Sequence, residues 1–180
     1  FERVSRPKRE IVFCMDASGS MKGEKMAQAR RAFFALSARA LHEGDRVGLL
    51  TFSSEGELSF DTSAPLSDML VSIVELAPRG KTSLARAIDD ALGLFHRGER
   101  HIVLLTDINP TEGVMPEREA LDAAGRAAQC DTSISVVAIR AGDQARELGQ
   151  KIADMTKGRF FGAQTSDIGA FVLHDYSLLR

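Results

Sequence analysis

The chain has only two cysteines among 180 residues and a formal net charge of −2, and no apolar run approaches the roughly 18 residues that a membrane-crossing helix needs. Each shortage closes off a class of function. Two cysteines cannot make a disulfide framework, and Cys14 and Cys130, one inside an apolar segment and one just before another, are expected as buried free thiols. Acidic and basic residues are interspersed, so there is no footprint for nucleic acid, and membrane insertion is not expected either. The four histidines show no ligand spacing; His42, His96, His101 and His174 are expected at the surface or at strand edges. No repeat and no low-complexity tract interrupts the sequence. It opens on Phe1 without a signal-peptide pattern and therefore reads as a segment of a longer protein, with a cytoplasmic setting expected.

What is present is alternation. Residues 1–9 form a basic leader or linker containing Arg3, Arg6, Lys8 and Arg9, and residues 10–180 read as a single domain. Strands are expected at Glu10 to Asp16, Asp45 to Ser53, Glu57 to Asp61, His101 to Thr106, Ser133 to Ile139 and Arg159 to Phe161. Helices are expected from Glu24 to Leu41, Ser67 to Leu76, Ser83 to Phe95, Pro116 to Gln129, Asp143 to Met155 and about Ser166 to Leu178. In the first of these, Lys25, Arg30, Arg31 and Arg39 fall mostly on the polar side. Such alternation predicts an α/β fold, a doubly wound, Rossmann-like parallel sheet with helices on both faces. A tight turn around Ser54 to Gly56 makes the second and third strands an antiparallel hairpin, with the short third strand at a sheet edge. The Phe33-Phe34 and Phe160-Phe161 pairs read as core, Asp89-Asp90 and Arg30-Arg31 as solvated helix faces.

Hard oxygen donors gather where such a sheet opens its crevice. The first apolar strand runs directly into Asp16-Ala17-Ser18-Gly19-Ser20, and the buried strand His101 to Thr106 ends in Asp107. If these two strands flank the point where strand order reverses, both carboxylates face one cavity. Thr82, in the turn Gly80-Lys81-Thr82 before a helix, adds a third hydroxyl. Two aspartates and three hydroxyls suit Mg²⁺, Mn²⁺ or Ca²⁺ and suit Zn²⁺ or Cu²⁺ poorly. Singly, Ser18, Ser20 and Thr82 read as turn or cap hydroxyls and the aspartates as strand terminators. Five such residues in register read as a site.

The pattern Asp16-x-Ser18-x-Ser20, then Thr82, then Asp107 resembles the metal-ion-dependent adhesion site of von Willebrand factor A domains. The resemblance implies a six-stranded, mainly parallel sheet with one antiparallel edge strand, and a Mg²⁺, or alternatively Mn²⁺ or Ca²⁺, held by Asp16, Ser18, Ser20, Thr82 and Asp107. It also implies a protein–protein interaction module in which a partner's Glu or Asp completes the metal's coordination, rather than an enzyme. Lys22, Arg79 and Lys81 near the mouth would favour an acidic partner. Many relatives have Gly after the second aspartate; here Ile108 stands in that place and is expected to put an apolar surface on the partner-binding rim, followed by Asn109-Pro110. The compact Asp-x-Ser-Gly-Ser-Met form resembles prokaryotic intracellular members, which work beside AAA+ ATPases of the MoxR or magnesium-chelatase type. An extracellular cell-surface adhesion domain is the alternative setting.

Two catalytic readings are weaker. Gly80-Lys81-Thr82 looks like the end of a phosphate-binding loop, but the required Gly five residues before Gly80 is Glu75, and no buried strand runs directly into the turn. A hydrolase or phosphatase using Ser18 or Asp16 as nucleophile lacks the Gly-x-Ser-x-Gly elbow, a histidine placed as base, and a second acid where Ser18 stands.

Overall fold

A computed structural model describes residues 8–54, 57–109, 113–164 and 167–179. Strands β1 (Arg9–Asp16), β2 (Arg46–Phe52), β3 (Leu58–Phe60), β4 (Glu99–Thr106), β5 (Thr132–Ile139) and β6 (Phe160–Ala163) alternate with helices α1 (Glu24–Glu43), α2 (Leu66–Glu75), α3 (Leu84–Leu92), α4 (Pro116–Gln129), α5 (Asp143–Met155) and α6 (Ile168–Leu178). The six strands form one sheet in the order β3-β2-β1-β4-β5-β6. Every pairing is parallel except β2 with β3 at the edge.

Alternation along each strand divides the core in two. Ile11, Phe13 and Met15 of β1 face α1, α2 and α6, whereas Val12 and Cys14 face α3, α4 and α5. On the first face the rings of Phe13 and Phe33 meet edge to face with centroids 5.5 Å apart. On the second, α4 presents Ala120, Ala123, Ala124 and Ala127, small side chains that bring the helix close to its neighbours. Phe34, Phe160 and Phe161 pack against these cores while half-buried.

The expected elements all form, with shifted ends and, away from the candidate site, three corrections of burial. Helix α3 stops at Leu92 because Gly93 caps it, and Leu94 and Phe95 turn back against the second core. Cys14 is buried, and burial pushes its thiol far above the usual range, but Cys130 is exposed because it caps α4 at the surface. Arg30 is not a solvated charge: its guanidinium donates to the Leu76 carbonyl and so ties α1 to the end of α2. The leader up to residue 7, the centre of the hairpin turn, Pro110 and Ser166 lie outside the described residues.

His101 is the third correction. His42, His96 and His174 are exposed, but His101 is buried in the middle of the sheet. Burial is tolerated because both ring nitrogens have partners, Nδ1 with Ser133 Oγ at 2.7 Å and Nε2 with Asp175 Oδ2 at 2.8 Å. Asp175, fully buried on α6, also accepts from Ser135 Oγ and from Arg159 Nη1, each at 2.8 Å. One carboxylate thus fastens α6 to β4, β5 and the start of β6.

Close backbone approach explains Gly158, between α5 and β6. A Cβ there would lie 1.9 Å from the Ile134 carbonyl oxygen and 2.9 Å from the Ser135 nitrogen, both rigid parts of β5. Gly158→Ala is expected to cost about 3 kcal/mol, since the backbone must shift to admit the methyl. Thermal unfolding followed by circular dichroism should show a midpoint lower by roughly 6–12 °C.

Candidate metal centre

Strands β1 and β4 are neighbours in the sheet, and the helices after β1 and after β4 cover opposite faces, so strand order reverses between them. The crevice therefore opens at the carboxyl ends carrying Asp16 and Asp107. Asp16 is fully buried and held on three sides. The Ser18 amide donates to its Oδ1 at 2.8 Å, folding the loop back over the strand end. The Thr106 hydroxyl donates to Oδ2 at 2.6 Å from the adjacent strand. Thr82 Oγ1 stands 3.5 Å from Oδ1 and 3.4 Å from Oδ2.

Backbone contacts set Thr82 in place. The Arg79 amide donates to the Ala17 carbonyl at 2.8 Å, and the Gly19 amide to the Gly80 carbonyl at 3.1 Å, so the loop before α3 is bound along the Asp16–Ser20 loop. Gly80 adopts φ +84°, a left-handed conformation that glycine takes without strain. The Ser18 and Ser20 hydroxyls lie 3.0 Å apart, the former buried and the latter exposed. The structure thus brings Asp16, Ser18 and Thr82 into contact, with Ser20 joined through Ser18.

Asp107 completes the group and is electrostatically incomplete. Its side chain is only 8% exposed, and Oδ1 is buried with no hydrogen-bond partner among the described residues. Oδ2 accepts from the Lys25 ammonium at 3.1 Å. Burial, opposed by the donors from Thr106 and Ser18 and reinforced by the charge of Asp107, holds the Asp16 carboxyl above its ordinary value of 3.8. Two close carboxylates, one with an unused buried oxygen, make a site short of positive charge. Among the described residues no group of three His, Cys, Asp or Glu side chains converges anywhere. A donor set of two carboxylates and three hydroxyls fits a hard divalent cation, and it does not fit zinc or copper.

Two neighbours of this group had no signal strong enough to single them out. Thr106 precedes Asp107 as an ordinary strand residue, and only the β1–β4 pairing puts its hydroxyl on Asp16. Lys25 belongs to the polar side of α1 by periodicity, yet it reaches the strand ends. Lys22, Arg79 and Lys81 are exposed around the loops. Ile108 is not: its side chain is 2% exposed, so the apolar rim expected there is absent. Its backbone takes φ +49°, a strained conformation for a branched residue, fixed by donation of its amide to Thr106 Oγ1 at 2.9 Å. The side chain turns into the second core beside Gly149 of α5, where a Cβ would lie 2.5 Å from Ile108 Cδ1. Gly149 leaves the space that Ile108 fills. Beside Asp107 a cleft of about 570 Å³ opens, lined by Lys25, Asn109, Glu117, Arg140 and Asp143 among others.

Comparison with known proteins agrees with this fold. Residues 11–110 match the model of the von Willebrand factor type A domain. A von Willebrand factor A domain-containing protein of Dictyostelium discoideum is 33% identical over 122 residues, which cover 63% of this chain and 14% of that protein. The chain therefore spans a small fraction of the length of the relatives it matches. Among solved structures, the pilus adhesin SpaC of Lactobacillus rhamnosus GG superposes with a TM-score of 0.83 at 15% identity, over 98% of this chain and 31% of that one. Manganese-loaded TRAP protein of Plasmodium vivax gives a TM-score of 0.67 at 15% identity, over 92% of this chain and 72% of that one. At such identities the two structures speak for the fold alone, a six-stranded mixed sheet between two layers of helices. With more than half of its residues matched by the family model and that sheet order in place, the chain belongs to the von Willebrand factor type A family, whose domains are interaction and adhesion modules.

Proposed function

We propose that this domain binds Mg²⁺, or Mn²⁺ or Ca²⁺ in its place, through Asp16, Ser18, Ser20, Thr82 and Asp107, and holds a Glu or Asp of a partner protein at the remaining coordination position. The observation that carries this reading is the buried, unpartnered Oδ1 of Asp107 beside an Asp16 carboxylate already aimed by Thr106 and the Ser18 amide. The cation supplies the positive charge that the carboxylates lack and a position open to an incoming oxygen. The chain's own residues do the rest. Thr106 and the Ser18 amide fix the Asp16 carboxylate before any ligand arrives, the bound Arg79–Lys81 loop sets the Thr82 hydroxyl, and exposed Lys22, Arg79 and Lys81 favour an acidic surface. Manganese in the TRAP structure, a relative in fold, supports a divalent ion.

A binding role is favoured over hydrolysis by the surroundings of Ser18. Its hydroxyl lies against that of Ser20, and the one buried histidine, His101, is committed to Ser133 and Asp175 about 20 Å away along β4. For the setting, we infer a cytoplasmic protein working with an AAA+ ATPase of the MoxR or chelatase type, on the form of the Asp16–Met21 segment. Adhesion at a cell surface is the second reading, favoured by the fit to a pilus adhesin. Titration calorimetry with Mg²⁺ and Mn²⁺ should give one site per chain. Immobilised domain should then capture a purified candidate ATPase or surface ligand in Mg²⁺ but not in excess chelator; capture that is indifferent to chelator overturns the proposal.

A further inference from the structure

Lys25 is placed where a cation is costly. It is the second residue of α1, in the first turn, where the positive end of the helix dipole disfavours an ammonium. Its side chain is only 20% exposed, so much of its hydration is given up as well. What offsets both costs is the 3.1 Å contact with Asp107 Oδ2, and no other ion pair or hydrogen bond of the Lys25 ammonium is found among the described residues. The acceptor is one of the two carboxylates of the candidate metal centre, and its other oxygen has no partner.

From this arrangement we infer that Lys25 is an internal counter-cation: it occupies Asp107 when no metal is bound, and a divalent ion must displace it to use that carboxylate. The inference rests on the metal reading proposed above. With Lys25 in contact, the net charge of the Asp16, Asp107 and Lys25 group is −1 rather than −2, and the attraction for a dication is weaker by the repulsion of one nearby ammonium. Lys25 thereby raises the metal concentration at which the domain becomes competent to bind a partner. It also gives the metal-free state a defined structure, because Asp107 keeps a partner instead of standing as an uncompensated buried charge. The cleft beside Asp107 has Lys25 in its wall, which leaves room for the displaced side chain without disturbing the sheet.

The test compares the intact chain with Lys25→Met and Asp107→Ala, singly and combined, by calorimetric titration of Mn²⁺ and Mg²⁺, with circular dichroism to establish folding. Lys25→Met should tighten metal binding about tenfold. In the Asp107→Ala background, where the ammonium has lost the contact that holds it at the site, the gain from the same substitution should fall well below tenfold. Thermal midpoints supply a second measure: in chelator Lys25→Met should melt below the unsubstituted protein, and saturating Mg²⁺ should raise its midpoint by more. Should Lys25→Met fail to fold without metal, the ¹³Cε resonance of Lys25 in the unsubstituted protein decides; it should shift on addition of Mg²⁺ and stay fixed in Asp16→Ala. Equal affinities for the unsubstituted protein and Lys25→Met, or a Lys25 signal indifferent to Mg²⁺ that binds, overturn the inference and leave the metal site standing. No metal binding by either protein overturns both.

Discussion

Asp16→Ala abolishes divalent-cation binding in our expectation while leaving the sheet assembled. Asp16 is touched by three separate pieces of chain, the Ser18 amide, Thr82 and Thr106, so its loss removes both a proposed ligand and the reason these groups converge. Outer-shell substitutions in metal sites typically cost 10–100-fold in affinity, and removal of a charged ligand should exceed about a hundredfold. The fold is spared because two large terms oppose each other. Deleting the carboxylate strands three donors, each bond to a charged acceptor being worth about 1.5–3 kcal/mol. It also removes a fully buried charge whose desolvation costs several kcal/mol, which is why burial holds the metal-free Asp16 carboxyl above its ordinary value. Differential scanning calorimetry separates the two effects. Ligand at about a hundred times its dissociation constant stabilises the unsubstituted protein by about 2.7 kcal/mol, roughly 5–11 °C in midpoint, and Asp16→Ala should show no such increment. A variant that is still stabilised by Mg²⁺ would show that the ion binds elsewhere.

The second large effect lies far from the candidate metal centre. Asp175→Ala should destabilise the domain by about 3 kcal/mol or more, because a buried ion pair broken from one side leaves its partners uncompensated. His101 is 3% exposed and would face a void, Ser135 would lose its acceptor, and Arg159 would lose the carboxylate that draws it inward. Asp175→Asn keeps the shape and isolates the charge. Burial alone would raise the Asp175 carboxyl, but the His101 contact, then Arg159 and Ser135, outweigh it and hold the group below its ordinary 3.8. For a depressed carboxyl the stabilisation is complete above the unfolded value and fades as pH falls through the lower folded value. The gap in stability between the unsubstituted protein and Asp175→Asn should therefore narrow as pH falls below about 4. A gap that widens as pH falls below about 4 would contradict an ionised Asp175.

Local pattern was enough to place the residues of the candidate site but not their supports. Asp16 and Asp107 were legible because each ends a continuous apolar run, and in a parallel sheet such runs deliver their last residues to the same end. Pro116 and Gln129, and Asp143 and Met155, bound helices as read, since Pro at the first position and a change in periodicity are local signals. Lys25 escaped because helical periodicity assigns a face but not a reach: side chains in a helix lean toward its N-terminus, and four methylenes carry the ammonium on to the strand ends. Ile108 misled for a related reason. A branched residue after a strand reads as exposed rim, and only the gap at Gly149, 41 residues later by the sequence numbering, shows where its side chain goes. The His101–Asp175 pair is separated by 74 positions and carries no motif.

Asp45 has a consequence for how the domain would behave within a larger chain. Its Oδ1 accepts the Arg9 amide at 3.1 Å, and its Oδ2 accepts the Tyr176 hydroxyl at 2.6 Å. A single aspartate thus staples the first residue of the first strand to the last turn of the last helix, at the end of the sheet opposite the candidate metal centre. Tension applied through the segments before Arg9 and beyond Leu179 would meet at that staple and travel between them by the shortest route. The end that carries Asp16 and Asp107 would stay outside the line of force, so a load on the chain would not act directly on the candidate site.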